Sequence, residues 1–240
     1  MRPVALVTGG AIRVGKAISK GLAAAGYDVV INYSSSEAAA LDLARELDAE
    51  GHGVAVVQGD VSDEADARRI VGVARERFGR LDLLVNNAST FETGDLLTLS
   101  TSDWDRVMGV NVRGPFLMVR EAAALLKEAG GSVVNIVDLS AFHPWVDYPH
   151  HSVSKAALLH LTRVMARSLA PTVRVNAIAP GTVLAPDNFT DADAAGDAAR
   201  TPLGQIGTPE DVVRTVLFLA GSGFVTGEVI TVDGGRHLRG

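Results

Sequence analysis

The opening stretch of this chain, Val4-Ala5-Leu6-Val7-Thr8 followed by Gly9-Gly10-Ala11-Ile12-Arg13-Val14-Gly15, decides its fold. The first five residues are an apolar run rich in β-branched side chains, which predicts a buried strand. The glycines permit a tight turn, and a helix-forming segment follows them directly. Backbone N–H groups at such a helix N-terminus bind a pyrophosphate well. The stretch therefore predicts a nucleotide site at the end of the first strand.

Six more short apolar runs alternate with helical segments along the rest of the chain. The seven predicted strands are Val4–Thr8, Val29–Tyr33, Gly53–Gln58, Leu83–Asn86, Val133–Val137, Val173–Ile178 and Val229–Val232. Nearly continuous apolar runs are typical of strands that are covered on both faces, and the alternation with helices requires crossover connections. The sequence predicts a single α/β domain over residues 1–240, a doubly wound Rossmann domain whose seven-stranded parallel sheet is flanked by helices.

Composition and charge restrict the possible functions. The chain has 240 residues, 47% of them apolar, and no cysteine, so disulfides and thiolate metal sites are excluded; we also expect no other metal site. A net charge of -6 without a basic stripe argues against nucleic-acid binding. No apolar run approaches the roughly 20 residues that span a bilayer, and the first residues do not resemble a signal peptide. We expect a cytoplasmic protein with a small-molecule substrate.

Several motifs in register with the first turn resemble those of the short-chain dehydrogenase/reductase family. They are Thr8-Gly9, Asp60-Val61, Asn86-Asn87-Ala88, Asn111, Lys155, Pro180-Gly181 and Val232-Asp233-Gly234-Gly235, and the resemblance covers residues 3 to 239. The resemblance implies a nicotinamide dinucleotide as cofactor. It also implies that Lys155 binds the nicotinamide ribose and that Asn111 holds Lys155 through a water.

The cofactor is expected to be NADP(H). A carboxylate after the second strand would favour NAD, because it repels a 2′-phosphate. Here no acid precedes Glu37, and the strand end offers hydroxyls and the nearby Arg13 instead. The residues assigned to cofactor binding from these patterns and from the resemblance are Gly9, Arg13, Val14, Gly15, Asn32, Tyr33, Ser34, Ser35, Asp60, Val61, Asn87, Ala88, Ser89, Lys155, Pro180, Gly181 and Val183.

The chain departs from the family pattern at His151. The family's acid is a tyrosine four residues before the lysine, a place that His151 occupies here, and Tyr148 does not replace it in register. An imidazole can donate a proton only as imidazolium, whose unperturbed pKa is about 6.5. Lys155 and an oxidised nicotinamide would both disfavour that charge, so we expect His151 to be a poor acid at neutral pH. Three alternatives remain: the protein uses His151 as its acid at acidic pH, it uses another acid, or it binds the cofactor with little catalysis.

Asp138 is the other candidate acid. It lies thirteen residues before His151, where most of the family carries serine. Aspartate there, together with Arg13 in place of the middle glycine of the turn, resembles the pteridine reductase and dihydromonapterin reductase branch. That resemblance implies that Ser89 and Arg13 contact a pterin and that Phe91 stacks on it. A carboxylate can bind the amino and ring-nitrogen edge of a pterin and can relay a proton. We place Tyr148 in the same substrate pocket.

Three functional hypotheses follow. The favoured one is an NADPH-dependent oxidoreductase that reduces a dihydropterin or dihydrofolate-like C=N bond, with Asp138, His151, Lys155 and Asn111 as its catalytic residues. The second is a general carbonyl or 3-oxoacyl thioester reductase. The third is an NADP(H)-binding protein with little turnover. By resemblance we also expect a homo-tetramer, and we expect residues 182–208 to form a substrate lid.

Overall fold

A single parallel sheet forms the centre of the protein, which a computed structural model describes for residues 2–184 and 190–238. The strands are β1 Val4–Val7, β2 Asp28–Tyr33, β3 Val54–Gln58, β4 Leu83–Asn86, β5 Ser132–Ile136, β6 Arg174–Pro180 and β7 Val229–Val232. Their spatial order is β3-β2-β1-β4-β5-β6-β7, and every neighbouring pair is parallel. The predicted fold class is confirmed, with the strand bounds shifted by at most two residues.

Helices cover both faces of the sheet. They are α1 Arg13–Ala24, α2 Glu37–Ala49, α3 Glu64–Phe78, α4 Thr101–Met108, α5 Gly114–Ala129, α6 Pro149–Leu169, α7 Asp191–Ala199 and α8 Pro209–Gly221. A π-helical turn at Gly109–Arg113 joins α4 to α5. Single π turns inside helices are frequent at functional sites, because the inserted residue changes the direction of its side chain.

The core has two layers because successive side chains of a strand point to opposite faces of the sheet. Leu6 of β1 packs with α3 and α5 through Ile70 and Met118. Its neighbour Val7 packs on the other side with α1 and α8, where Ile18 lies. This burial explains why the strands lack the polar alternation of a half-exposed sheet.

The topology places one crevice at the carboxyl ends of the strands. The chain runs from β1 outward through β2 and β3, and then returns to β4 on the other side of β1. In open α/β sheets the ligand binds where the strand order reverses in this way. The β1–α1 turn, the end of β4 and the end of β5 therefore meet at one edge.

The segment 182–208 is more regular than the sequence suggested. We expected an irregular stretch, but α7 forms inside it, and its N-terminus has a capping box between Thr190 and Asp193. Composition hid this helix, because alternating Ala and Asp residues lack an apolar stripe. Residues 185–189 of the expected lid lie outside the described residues, as does Arg239, the last residue of the family resemblance. The lid itself remains a prediction.

The described helices include none with the length and apolar character that a membrane span requires.

Candidate active site

The turn after β1 is shaped to admit a ligand backbone. Gly9 has φ +59°, and a Cβ added to Gly15 would lie 2.1 Å from the carbonyl oxygen of Gly9. No larger residue fits at Gly15 without moving the turn. The N-terminus of α1 has no side-chain cap at Ile12 and no acidic residue in its first turn. Its N–H groups are therefore left for an anion.

A groove of ≈ 570 Å³ opens above this turn. Most of the residues predicted for the cofactor line it, namely Gly9, Arg13, Val14, Gly15, Asn32, Tyr33, Ser34, Ser35, Asp60, Val61, Asn87, Ala88 and Ser89. The groove also includes Arg106, which the sequence analysis missed because it belongs to α4, far along the chain from the glycine-rich turn. Its guanidinium forms ion pairs with Glu92 and Asp103. These residues form no recognisable motif in the sequence.

Arg13 has the backbone conformation that normally selects glycine. Its φ is +52°, the one positive φ among non-glycine residues in the described part of the chain. An L-residue in this region costs roughly 1 kcal/mol or more. The guanidinium is exposed and has no hydrogen bond or ion pair within residues 2–184 and 190–238. A strained, unpaired cation beside an uncapped helix is a suitable contact for phosphate.

Asn32 supports the groove rather than offering a free amide to it. Its Nδ2 donates to the carbonyls of Val57 and Gly59 at 3.3 and 3.1 Å, and its Oδ1 accepts from the N–H of Gly9 at 3.4 Å. This side chain ties β2 to β3 and to the glycine-rich turn. Asn32 nevertheless lines the groove, and its contact with the cofactor stays a prediction, as do the contacts of Ser34 and Ser35.

Asn87 and Thr8 join the turns after β4 and β1. Asn87 Nδ2 donates to the carbonyls of Thr8 and Gly9 at 2.9 and 3.1 Å. The Thr8 hydroxyl accepts from the N–H groups of Asn87 and Ala88, both at 3.0 Å. These four bonds explain why Thr-Gly and Asn-Ala occur together, since each motif holds the other in place.

A second cavity of ≈ 740 Å³ adjoins the strand ends of β5 and β6. Its wall contains three of the predicted substrate residues, Phe91, Asp138 and Tyr148, together with Pro180-Gly181. Arg13 and Ser89, the other two, line the first groove. Trp145, Arg200 and Arg236 also line the second cavity. Trp145 and Arg200 carried no motif, and only the fold brings them to this place.

Asp138 and His151 form one hydrogen-bonded pair. His151 Nε2 lies 2.6 Å from Asp138 Oδ2, and its Nδ1 lies 3.0 Å from the carbonyl oxygen of Thr90. A carbonyl only accepts, so Nδ1 carries a proton. The bond between Nε2 and Oδ2 then holds a second proton, which the two side chains share. His151 is almost fully buried behind the partly exposed Asp138.

Electrostatics favour the ionised form of Asp138. Burial acts to raise the pKa of this carboxyl, but the hydrogen bond from His151, the charge of Lys155 and the hydrogen bond from Ser140 together hold its pKa below the ordinary value. Burial also lowers the pKa of Lys155, against an opposing effect of Asp138. Lys155 Nζ donates to the carbonyl of Ile136 at 3.0 Å.

Aromatic rings wall the space beside this pair. Phe91 stacks on Tyr148 with centroids 4.3 Å apart and planes at 16°, and it meets His151 edge-on at 4.8 Å. Trp145 approaches Tyr148 edge-on at 6.2 Å. Tyr148 lies directly before α6 and belongs to this wall, although it is out of register with the family tyrosine. Such a wall suits a flat ring.

Asn111 lies in the π-helical turn and connects three segments. Its Oδ1 accepts from the N–H of Thr90 at 2.9 Å and from the Ser89 hydroxyl at 3.1 Å, and its Nδ2 donates to the Ser154 hydroxyl at 2.9 Å. It contacts the residue beside Lys155 rather than Lys155 itself. Asn111 thus positions Thr90, whose carbonyl oxygen accepts a hydrogen bond from His151 Nδ1.

Two of the predicted cofactor residues, Lys155 and Val183, line neither cavity, and Lys155 is 3% exposed. Val183 is part of the core. Its side chain is 7% exposed, it packs with the α8 side of the sheet, and it lines neither cavity. His150 of α6 is fully buried, and neither of its ring nitrogens has a hydrogen-bond partner in the described structure. Residues 2–184 and 190–238 contain no group of three or more acidic or histidine side chains that could hold a metal ion.

Known proteins resemble the chain over its full length. Residues 10–237 match the family described as enoyl-(acyl carrier protein) reductase. The 3-oxoacyl-[acyl-carrier-protein] reductase of Synechocystis sp. is 35% identical, over 98% of this chain and 97% of that protein.

Solved structures extend the comparison. FolM alternative dihydrofolate reductase 1 from Brucella suis, in complex with NADP, superposes with a TM-score of 0.93 at 36% identity, covering 100% of this chain and 96% of that one. A blue fluorescent protein from a metagenomic library, in complex with NADPH, gives 0.90 at 35% identity, with 98% and 97% covered. Both structures hold the cofactor that the sequence of this chain predicts. The chain belongs to the short-chain dehydrogenase/reductase family of oxidoreductases.

Proposed function

We propose that this protein is an NADPH-dependent reductase of a C=N bond in a dihydropterin or dihydrofolate-like ring. The observation that carries the proposal is the Asp138 carboxyl, which lies in the wall of the second cavity, hydrogen-bonded to His151 and beside an aromatic wall. The resemblance to a dihydrofolate reductase structure over the whole chain supports the same substrate class.

The first groove fits a phosphorylated nicotinamide dinucleotide. The uncapped α1 N-terminus and the Gly15 cradle suit the pyrophosphate. Arg13, Ser34 and Ser35 offer donors for a 2′-phosphate. The carboxylate that lines the same groove, Asp60, follows β3 and accepts from the N–H and hydroxyl of Ser62. When bound, NADPH supplies the hydride for the reduction. We assign the nicotinamide ribose to Lys155, which is 3% exposed and donates to the carbonyl of Ile136.

Asp138 binds and orients the substrate ring. Its Oδ1 accepts from the N–H and hydroxyl of Ser140, and its Oδ2 faces His151, so both oxygens are fixed in direction. A carboxylate oxygen has two acceptor sites, so Ser140 occupies both sites of Oδ1 and one site of Oδ2 is left for an N–H group of the substrate ring. Phe91 and Tyr148 border the ring.

The proton for the ring nitrogen comes from the Asp138–His151 pair. Reduction of C=N adds hydride to carbon and a proton to nitrogen. The pair holds one shared proton next to the cavity, and Asp138 is the partner exposed to it. His151, whose two ring nitrogens both have partners, orients Asp138 and favours its ionised form. Relayed proton transfer of this kind contributes roughly 10²–10⁴ in rate.

The proposal is tested with purified protein and a spectrophotometric assay of NADPH oxidation. Dihydrobiopterin, dihydrofolate and a small 3-oxo ester are each compared between about pH 5 and about pH 8. We expect turnover of the pterins and little turnover of the ketone. Rapid ketone turnover with inert pterins would contradict the proposal.

A second candidate is a general carbonyl or 3-oxoacyl thioester reductase. The likeness to a 3-oxoacyl-[acyl-carrier-protein] reductase favours it at least as much as the pterin reaction. In this reaction His151 would protonate an alkoxide, so ketone turnover would rise as the pH falls. Replacing His151 by tyrosine, the usual family acid, would then increase the rate. In the pterin reaction the same replacement would remove the partner of Asp138 and lower the rate.

We also propose a cytoplasmic homo-tetramer. Apolar side chains on the outer faces of two long helices support association, because Phe116, Val153 and Val164 are each at least 44% exposed. Light scattering of the purified protein would test the oligomeric state, and a monomer at micromolar concentration would contradict it.

A further inference from the structure

Two arginines meet a single carboxylate in the wall of the second cavity. Arg236 Nη1 lies 3.4 Å from Asp197 Oδ2, and Arg200 Nη1 lies 3.2 Å from Asp197 Oδ1. Thr182 donates to Asp197 at 2.6 Å and accepts from Arg236 at 3.0 Å. The four side chains hold α7, the segment after β6 and the C-terminal turn together. Two positive charges against one negative charge leave this part of the wall positive.

Both guanidiniums have donors to spare. A guanidinium carries five N–H groups, and only Nη1 of each arginine is used here. Nε and Nη2 of Arg200 and Arg236 make no hydrogen bond within residues 2–184 and 190–238. Arg236 is only about a quarter exposed, so an anion bound to it would be partly shielded from water. Paired arginine donors match the oxygens of a carboxylate or phosphate.

The other charged groups of the cavity do not neutralise this site. Asp138 is hydrogen-bonded to His151 and Ser140. Asp147 lines the cavity on the loop that carries Trp145 and Tyr148, and it forms no ion pair with either arginine in the described structure. The cavity thus has acceptor groups at one side and spare cationic donors at another.

Strand order sets the distance between the two sides. Asp138 follows β5, Thr182 follows β6 and Arg236 follows β7, and these strands are successive in the sheet. Neighbouring strands lie about 4.8 Å apart, so the ends of β5 and β7, which precede Asp138 and Arg236, are roughly 10 Å apart. A substrate anchored by its ring at Asp138 would reach the arginines with its tail.

We propose that Arg200 and Arg236 form an anion subsite that selects substrates with a carboxylate or phosphate on the tail remote from the reacting ring. The inference rests on the proposed function for the position of the ring. It places dihydrofolate-like substrates and phosphorylated pterins ahead of pterins with an uncharged tail.

The test compares Arg200→Gln and Arg236→Gln with Arg214→Gln as a matched control. Arg214 is paired with Asp211 at the same i,i+3 spacing as Arg200 with Asp197, is similarly exposed, and lies outside both cavities. Substrates are dihydrofolate, dihydroneopterin monophosphate and dihydrobiopterin, whose tails carry carboxylates, a phosphate and no charge. We expect the KM of one or both anionic substrates to rise roughly tenfold in each site variant. The KM of dihydrobiopterin and all values for Arg214→Gln should stay within about twofold of the wild type.

Equal losses on all three substrates, or no loss on either anionic one, would overturn the subsite. A gain-of-function variant guards against misfolding: Asp197→Asn removes the competing carboxylate and should lower the KM of the anionic substrate. If no pterin is reduced, the proposed function fails, but calorimetry on the NADPH-saturated protein still decides the subsite. Tighter binding of 4-aminobenzoyl-glutamate than of its uncharged diamide, lost in Arg200→Gln and Arg236→Gln, would support it, and equal binding would refute it.

Discussion

His151 Nε2 lies 2.6 Å from Asp138 Oδ2, so the residue that departs from the family tyrosine is bonded to the residue that departs from the family serine. The two substitutions therefore form one unit. A tyrosine at position 151 would offer a hydroxyl to the cavity, whereas His151 turns its second nitrogen to the carbonyl of Thr90. The acidic group that reaches the cavity is therefore Asp138, which is hydrogen-bonded to the buried imidazole of His151.

Asp138→Asn should reduce dihydropterin turnover at least about 100-fold, because the neutral amide cannot hold the proton that Asp138 shares with His151. Single-turnover kinetics with NADPH measure the effect on chemistry. Asp105→Asn, an exposed carboxylate on α4, serves as the control and should keep wild-type activity. An Asp138→Asn enzyme with more than about a tenth of wild-type kcat would refute the assigned role.

His151→Ala should lose much less activity than Asp138→Asn. Without the imidazole, Asp138 keeps its bonds from Ser140 and the nearby charge of Lys155, so the carboxylate still binds the ring. The pH profile of kcat is the informative measurement, because the shared proton is lost with His151. The reverse order of losses would favour carbonyl reduction with His151 as acid.

Acid should remove a part of the stability that Asp138 provides. Burial opposes ionisation of this carboxyl, but His151, Lys155 and Ser140 lower its pKa below the ordinary value of 3.8. A lowered folded-state pKa stabilises the protein above the ordinary value, and this contribution is lost as the pH falls through the folded-state pKa. As the pH falls below the ordinary pKa of 3.8, the difference in free energy of unfolding between wild type and Asp138→Asn should become smaller. Urea titrations at a series of pH values measure it, and a widening gap in acid would contradict the pKa direction.

Gly15→Ala should abolish tight NADPH binding. The new Cβ would lie 2.1 Å from the Gly9 carbonyl, so the phosphate-binding turn must open. Gly72→Ala is a suitable control, because its Cβ meets only Glu76 at 3.8 Å and alanine stabilises a helix interior by roughly 1 kcal/mol. We expect the NADPH Kd to rise at least about tenfold for Gly15→Ala alone. Unchanged affinity would exclude this turn as the pyrophosphate site.

Arg13→Gly should raise stability and lower cofactor discrimination together. Glycine relieves the left-handed backbone at φ +52°, which should add about 1 kcal/mol to the free energy of unfolding of the free protein. The same change removes the unpaired guanidinium, so the ratio of kcat/KM for NADPH over NADH should fall roughly tenfold. Thermal unfolding and initial rates with both cofactors test the two effects separately. An unaltered ratio would mean that Arg13 does not contact the 2′-phosphate.

The sequence by itself determined the seven strands, their parallel arrangement and the nucleotide site at the glycine-rich turn. These features depend on local patterns: continuous apolar runs, helical periodicity, and the glycines of the first turn. Gly9 has a positive φ, and Gly15 leaves no room for a Cβ. The helix α7 and the burial of Val183 were missed, since neither leaves a strong periodic signal.

Tertiary structure alone decided how the catalytic groups combine. The sequence presents Asp138 and His151 as alternative acids, and only the packing of α6 against the end of β5 makes them one proton-sharing pair. It likewise gives no reason to connect Arg200 with Arg236, which the order of β6 and β7 brings to the same carboxylate. Hydrogen bonds and ion pairs act over about 3–4 Å, a distance between residues far apart in the chain that folding sets and sequence spacing does not record.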